Sequence, residues 1–173
     1  MRRVFIIRKD LNLSPGKLAA MVGHCAEAYW TNLLKKASVD NTANVVDKPY
    51  KTLELKLDIP FNVWTEYALG TFTKTICEAK NLNHLLKVRD YIDEFNAEAP
   101  CGKDQLLKEG IDYGFINDMC LTELKPENAD GSTTVGVWFA PKPDWIAFRF
   151  SKKYKLYGVF DKEKSSNENQ NAG

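Results

Sequence analysis

The chain has 173 residues, with 24 Lys plus Arg against 23 Asp plus Glu for a net charge of +1; 44% of it is hydrophobic and 27% charged. One domain's worth of length predicts a single domain or one domain with an insertion. The balanced charge excludes a histone-like or arm-type nucleic-acid binder, and the apolar content excludes a disordered chain. The strongly apolar run near the start, Val4-Phe5-Ile6-Ile7, is far short of a membrane span or of the apolar core of a secretory leader. Cys25, Cys77, Cys101 and Cys120 are dispersed with no C-x-x-C, and with two histidines in the chain they give neither a disulfide framework nor a structural zinc pattern. This is the composition expected of a soluble cytoplasmic domain with no membrane segment.

Arg3 to Arg8 is a β-branched and aromatic run that predicts a buried strand. Ser14-Pro15-Gly16 announces a helix, with Ser14 as N-cap and Pro15 at the first helical position. Apolar residues at three- and four-residue spacing continue that helix to about Ala37. Residues 38–49 read as a loop, Tyr50 to Ile59 alternates as a half-exposed strand, and Pro60 to Leu69 as a short helix stopped by Gly70. Phe72 to Glu78 predicts a strand and Leu82 to Phe95 a helix; Ala99 to Gly110 reads as a loop. Strands are predicted over Tyr113 to Ile116 and Thr133 to Phe139, a helix over Pro143 to Tyr154, and a last extended segment over Leu156 to Phe160. Residues 161–173 are polar and have nothing to bury. Strands alternating with helices predict an α/β fold: a single domain over 1–160 whose mixed β-sheet of about four strands carries helices on both faces.

The charge is unevenly spread. Residues 1–36 carry seven basic and two acidic groups, residues 141–164 seven and three, and residues 37–140 ten and 17. If the two ends meet in space, one face is basic and can hold a polyanion through phosphate contacts; solvated surface lysines with no ligand are the plainer reading.

Lys17 and His24 are seven apart on the first helix, close to one face, with Met21 between them. A lysine in the first turn, where backbone N–H groups and the dipole favour an anion, can hold a phosphate or oxyanion while the histidine handles a proton. The plainer reading of the same pair is a solvated first-turn lysine and a packed histidine. Asp118 and Thr122 follow a predicted strand end, where open α/β sheets place ligand groups, although a strand end also makes Asp118 a turn residue. Cys120 reads as a small buried hydrophobe rather than a nucleophile, and Trp30, Trp64, Trp138 and Trp145 as core rather than a base-stacking platform.

Taken together, Val4-Phe5-Ile6-Ile7-Arg8-Lys9-Asp10-Leu11, Gly16-Lys17-Leu18-Ala19-Ala20 and Gly23-His24 resemble the opening of the type 2 peptidyl-tRNA hydrolases: a strand ending in R-x-D-L, then G-K-[LIV]-A-A-Q, then a His. Asp118 and Leu121-Thr122-Glu123-Leu124 are similar to the family's D-A-G-x-T-E-[IL] segment, and Thr133 to Pro141 followed by Lys155-Leu156-Tyr157 to its closing strand, helix and K-L-L ending. Met21 stands where the family has Gln, and Met119-Cys120 where it has Ala-Gly, which predicts a crowded turn beside Asp118. Residues 38–59 and 99–110 resemble insertions.

The resemblance implies hydrolysis of the ester joining a peptide to the 3′ ribose of tRNA, which recycles tRNA released from aborted translation. It implies a site of Lys17, His24, Asp118 and Thr122. In that reading His24 and Asp118 orient or activate water, Lys17 faces the oxyanion or terminal phosphate, and Thr122 donates to it. No metal or cofactor is implied. Peptidyl-tRNA is the implied partner, held at phosphates by Arg8, Lys9, Lys35 and Lys36, and two copies of the chain pair as a homodimer. Two other readings stay open: a weak or inactive family member that binds RNA or protein, and a hydrolase of another small ester or phosphate compound.

Overall fold

The computed structural model describes residues 1–36, 38–39, 55–98, 112–142, 149–150 and 152–158. A five-stranded mixed sheet runs in the order β5-β6-β1-β4-β7, built from β1 (Arg3–Arg8), β4 (Lys74–Ala79), β5 (Tyr113–Asp118), β6 (Thr133–Phe139) and β7 (Lys155–Leu156). β1 and β4 are parallel, and the remaining pairings are antiparallel. The fifth strand beyond the about four expected is β7, a two-residue strand at the start of the last extended segment expected from Leu156. A separate antiparallel pair joins β2 (Ser38–Val39) to β3 (Leu55–Lys56), so the two ends of the expected insertion meet.

Every residue of β1 is buried, as its unbroken apolar run requires of a central strand covered on both faces. Val4 and Ile6 pack with Leu85 of α2 (Leu82–Leu86) and with Val88 and Ile92 of α3 (Val88–Glu98). Phe5 and Ile7 pack on the opposite face with Met21, Cys25 and Tyr29 of α1 (Pro15–Lys36). Helices therefore lie on both faces. The single helix expected over Leu82 to Phe95 is broken at Lys87 into α2 and α3, and Asn81 caps the first by accepting from the His84 N–H.

Two irregularities interrupt the regular elements. Ile116 pairs with Gly136, but Asn117 pairs with Thr134, leaving Val135 as an extra residue in β6. This bulge turns Val135 toward α1 with Trp138 and Ala140, while Val137 and Phe139 face the other layer. The expected helix after Pro60 is a π-helical segment, Val63–Thr71, broken at Gly70 and ended by Phe72 in the left-handed region (φ 49). Trp138 is core as expected, Trp30 is half-buried, and Trp64 is 46% exposed. Residues 40–54 and 99–111, most of the helix expected over 143–154, residues 159–173, Cys101 and Trp145 lie outside the described residues.

Arg3 joins the layers. Its buried guanidinium donates to the carbonyls of Phe139 (3.1 Å), Ala26 (2.6 Å) and Cys25 (2.7 Å) and stacks on Phe5 and Tyr29, tying the middle of α1 to the sheet. Strand spacing beneath α1 depends on Gly136. A Cβ there would sit 2.8 Å from the Ile6 carbonyl oxygen and 2.7 Å from Ile7 Cδ1. Gly136→Ala is expected to cost about 1–3 kcal/mol, read as a lower urea midpoint at unchanged slope; an unmoved midpoint would show that β1 and β6 spread without cost.

Candidate active site

Ser14 opens α1 as the sequence indicates, its hydroxyl accepting from the Lys17 N–H at 3.3 Å. The same residue also holds the loop after β5: its hydroxyl and N–H both donate to the Glu123 carboxylate, the latter at 3.2 Å. That double contact, on a residue the sequence reading did not single out for the site, brings the first turn of α1 against residues 119–124. Only the T-E pair of the matched segment hinted at it.

Lys17 and Asp118 meet there. Lys17 Nζ lies 2.6 Å from Asp118 Oδ2 and donates to Thr122 Oγ1 at 3.1 Å. Both partners of the ion pair are largely covered, at 14% and 8% side-chain exposure. Asp118 is the last residue of β5, one strand position rather than a turn position, and its Oδ1 accepts from the Cys120 N–H at 2.9 Å. Burial works to raise the Asp118 pKa, but the Lys17 hydrogen bond, the Cys120 amide and the charge of Lys17 outweigh it and hold the carboxyl below its ordinary range. Asp118 is thus a fixed anion at neutral pH. Because Thr122 accepts from Lys17, its own hydroxyl proton is free to be donated outward.

The turn beside Asp118 is not crowded as expected. Met119 points to solvent at 60% exposure, and Cys120 adopts the left-handed conformation (φ 56) at the place of the family's Gly. Cys120 is half-buried, its thiol against Thr133 Oγ1 at 3.4 Å, while Thr133 donates to the Lys125 carbonyl at 2.6 Å. Met21 is buried with Phe5 and Ile7, so the position held by Gln in the family is here a packing position.

His24 is exposed on the same stripe of α1 as Lys17 and lines a groove of about 730 Å³ between α1 and β5. The four basic residues expected at phosphates are placed differently from one another. Arg8 is buried, with its guanidinium committed to Asp10, Glu127 and the Thr134 carbonyl, so it is not offered to a surface ligand. Burial opposes its charge, and the two carboxylates more than restore it, raising its pKa. Lys9 is exposed and pairs with Glu78 at 3.0 Å. Lys35 and Lys36 are exposed at the far end of α1, about 27 Å along the helix from Lys17 by its rise per residue; Lys36 lies 3.7 Å from Asp112. Among the described residues no group of His, Cys, Asp and Glu is placed to hold a metal ion.

The family model described as Peptidyl-tRNA hydrolase PTH2 matches residues 1–157. The chain belongs to this family. Comparison with curated proteins returned no match. In this PTH2-family chain the matched segments contribute the clustered side chains: Lys17 from the G-K segment, and Asp118 and Thr122 from the D-x-x-x-T segment. No described helix is long and apolar enough to cross a membrane.

The depressed Asp118 pKa has a sign for stability. The folded state binds this proton less readily than the unfolded one, so the pair stabilises above the unfolded carboxyl pKa of about 3.9, and the gain is lost as pH falls through the lower folded value. Asp118→Asn should lower stability by about 1–3 kcal/mol at pH 7, a gap to wild type that narrows when the pH is taken to about 2, below the unfolded carboxyl value. Urea titrations at both pH values test this, and an equal gap at both would deny the ion pair its role.

Proposed function

We propose that this protein hydrolyses the ester between peptide and tRNA in peptidyl-tRNA. The observation that carries this is the contact of Lys17 with both Asp118 and Thr122 at the positions where the chain matches its family. The reaction is acyl transfer to water: a water loses a proton, an oxyanion forms, and the ribose hydroxyl leaves. Asp118, held ionised with a low pKa, is a poor proton acceptor; it orients Lys17 and the attacking water. His24 stands exposed at the mouth of the groove and takes the proton. Lys17 and the outward hydroxyl of Thr122 face the developing oxyanion. An activated ester needs little more than this positioning.

The tRNA half is assigned to phosphate contacts at the other side of the site. Lys9 after β1, Lys80 after β4 and Lys155 in β7 are all exposed, and Lys9 and Lys155 flank Glu78. In release of the acyl group from an N-acetyl-aminoacyl-tRNA without added metal, His24→Ala and Lys17→Ala should each lose about 10²-fold in kcat/KM. Lys80→Ala with Lys155→Ala should raise KM and reduce the salt slope by about 2. Full activity in His24→Ala would remove it from the mechanism.

The burial of Met21 favours one alternative, a family member that keeps the fold for binding. Salt-sensitive tRNA binding by wild type with no turnover would establish that reading in place of hydrolysis.

We also assign a homodimer to this chain. Phe61, Leu69 and Phe72 in and around the π-helical segment are 81%, 66% and 49% exposed and form apolar surface of the kind that subunits cover. Light scattering at micromolar concentration should give twice the chain mass, and a monomer mass would refute the assignment.

A further inference from the structure

We propose that the free edge of β5 is the track for the peptide half of the substrate, which it holds as an added strand through main-chain hydrogen bonds. The inference rests on the hydrolase reading above and says which surface takes which half of the substrate.

β5 is the outer strand of the five-stranded sheet. Asp112 accepts from the Ala140 N–H at 2.9 Å across the β5–β6 pairing. Hydrogen-bonded and open positions alternate in an antiparallel pair, so Gly114 and Ile116 also face β6, and Tyr113 and Phe115 direct their N–H and C=O groups outward. Among the described residues none receives those four groups. Among the described residues they are an unfilled template for one more strand.

The groove between α1 and β5 runs along this strand, from His24 and Asn117 at the site end to Asp112 and Lys36 at the other. At Gly114 the β5 wall carries no side chain of its own, because the Trp138 indole packs over it, 2.7–3.0 Å from where a Cβ would sit. β5 itself ends in Asp118. A peptide with its esterified carbonyl at Asp118 and Thr122 therefore runs parallel to β5, passing Phe115 after about 10 Å and Tyr113 after about 17 Å. Three to five residues are within reach.

The chemistry of the substrate favours this occupant. An enzyme that clears peptides of any sequence gains from contacts that read only the backbone, which strand addition supplies. The charge of the groove is mixed, with Glu27 and Asp112 against Lys35 and Lys36, which suits an uncharged main chain better than a run of phosphates. The 3′ end of the tRNA then leaves past Lys9.

The test uses the wild-type protein and N-acetylated oligoalanyl-tRNAs of one to six residues. KM is expected to fall with length, by about tenfold in all, and to level off at four or five residues. In the four-residue substrate, N-methylation of alternate amides is expected to raise KM several-fold while methylation of the intervening ones leaves it unchanged. KM independent of length, or indifferent to which amide is methylated, would overturn the proposal. A KM indifferent to peptide length but steeply dependent on salt would instead put RNA in the groove. If no substrate turns over, the same series in non-hydrolysable amide linkage is read by Kd: a length- and period-dependent Kd keeps the track and rejects the hydrolase, whereas a flat series rejects the track.

Discussion

One ion pair, Lys17 with Asp118, holds the described site together. The two residues come from the first turn of a helix and the last position of an edge strand, elements far apart in sequence. Taking both charges largely out of water is costly, and the pair forms only because its geometry is close and its remaining polar atoms are satisfied. Thr122 and the Cys120 amide supply that satisfaction, and Ser14 with Glu123 keeps the two backbones in register. An anion that cannot be protonated at neutral pH and an ammonium with a fixed direction are the result, and the proposed chemistry follows from those two properties.

Two arginines at the ends of β1 make that geometry possible. Arg3 binds helix and strand carbonyls and fixes the middle of α1 over β1 and β6, while Arg8 gathers Asp10 and Glu127 around the end of the strand. Both are buried. Part of the basic excess in residues 1–36, which reads in the sequence as surface for a polyanion, is therefore internal cement. The bulge at Val135 completes the frame, since it lets one strand feed both cores and still bring Asp118 to the mouth of α1.

Much of the fold was legible because its signals are local. The six-residue run of β1, the Ser14-Pro15 start of α1 and the strand over Thr133 to Phe139 each announce themselves within a few residues. Positions of Lys17, Asp118 and Thr122 were legible through segments matched in order. Their contact was not, since no spacing rule relates residues on separate elements. Glu123 as the clasp on Ser14 was missed for the same reason, and Arg8 was misplaced because an arginine paired with carboxylates and one facing solvent look alike in sequence. The break at Lys87 escaped because two short helices in line share one apolar pattern with a single long one.

By itself the sequence determined which segments are buried, which face of α1 is polar, and which residue types stand at the site, because apolar period and capping chemistry act between near neighbours. Tertiary structure alone decided that Lys17 is paired rather than solvated, that Arg8 is committed inside, and that β5 is an edge whose outward groups no described residue takes. Each of these depends on the order of strands in the sheet and on burial, which sum over contacts between distant parts of the chain; charge and hydrogen-bonding strength change with that burial, and no local window contains it.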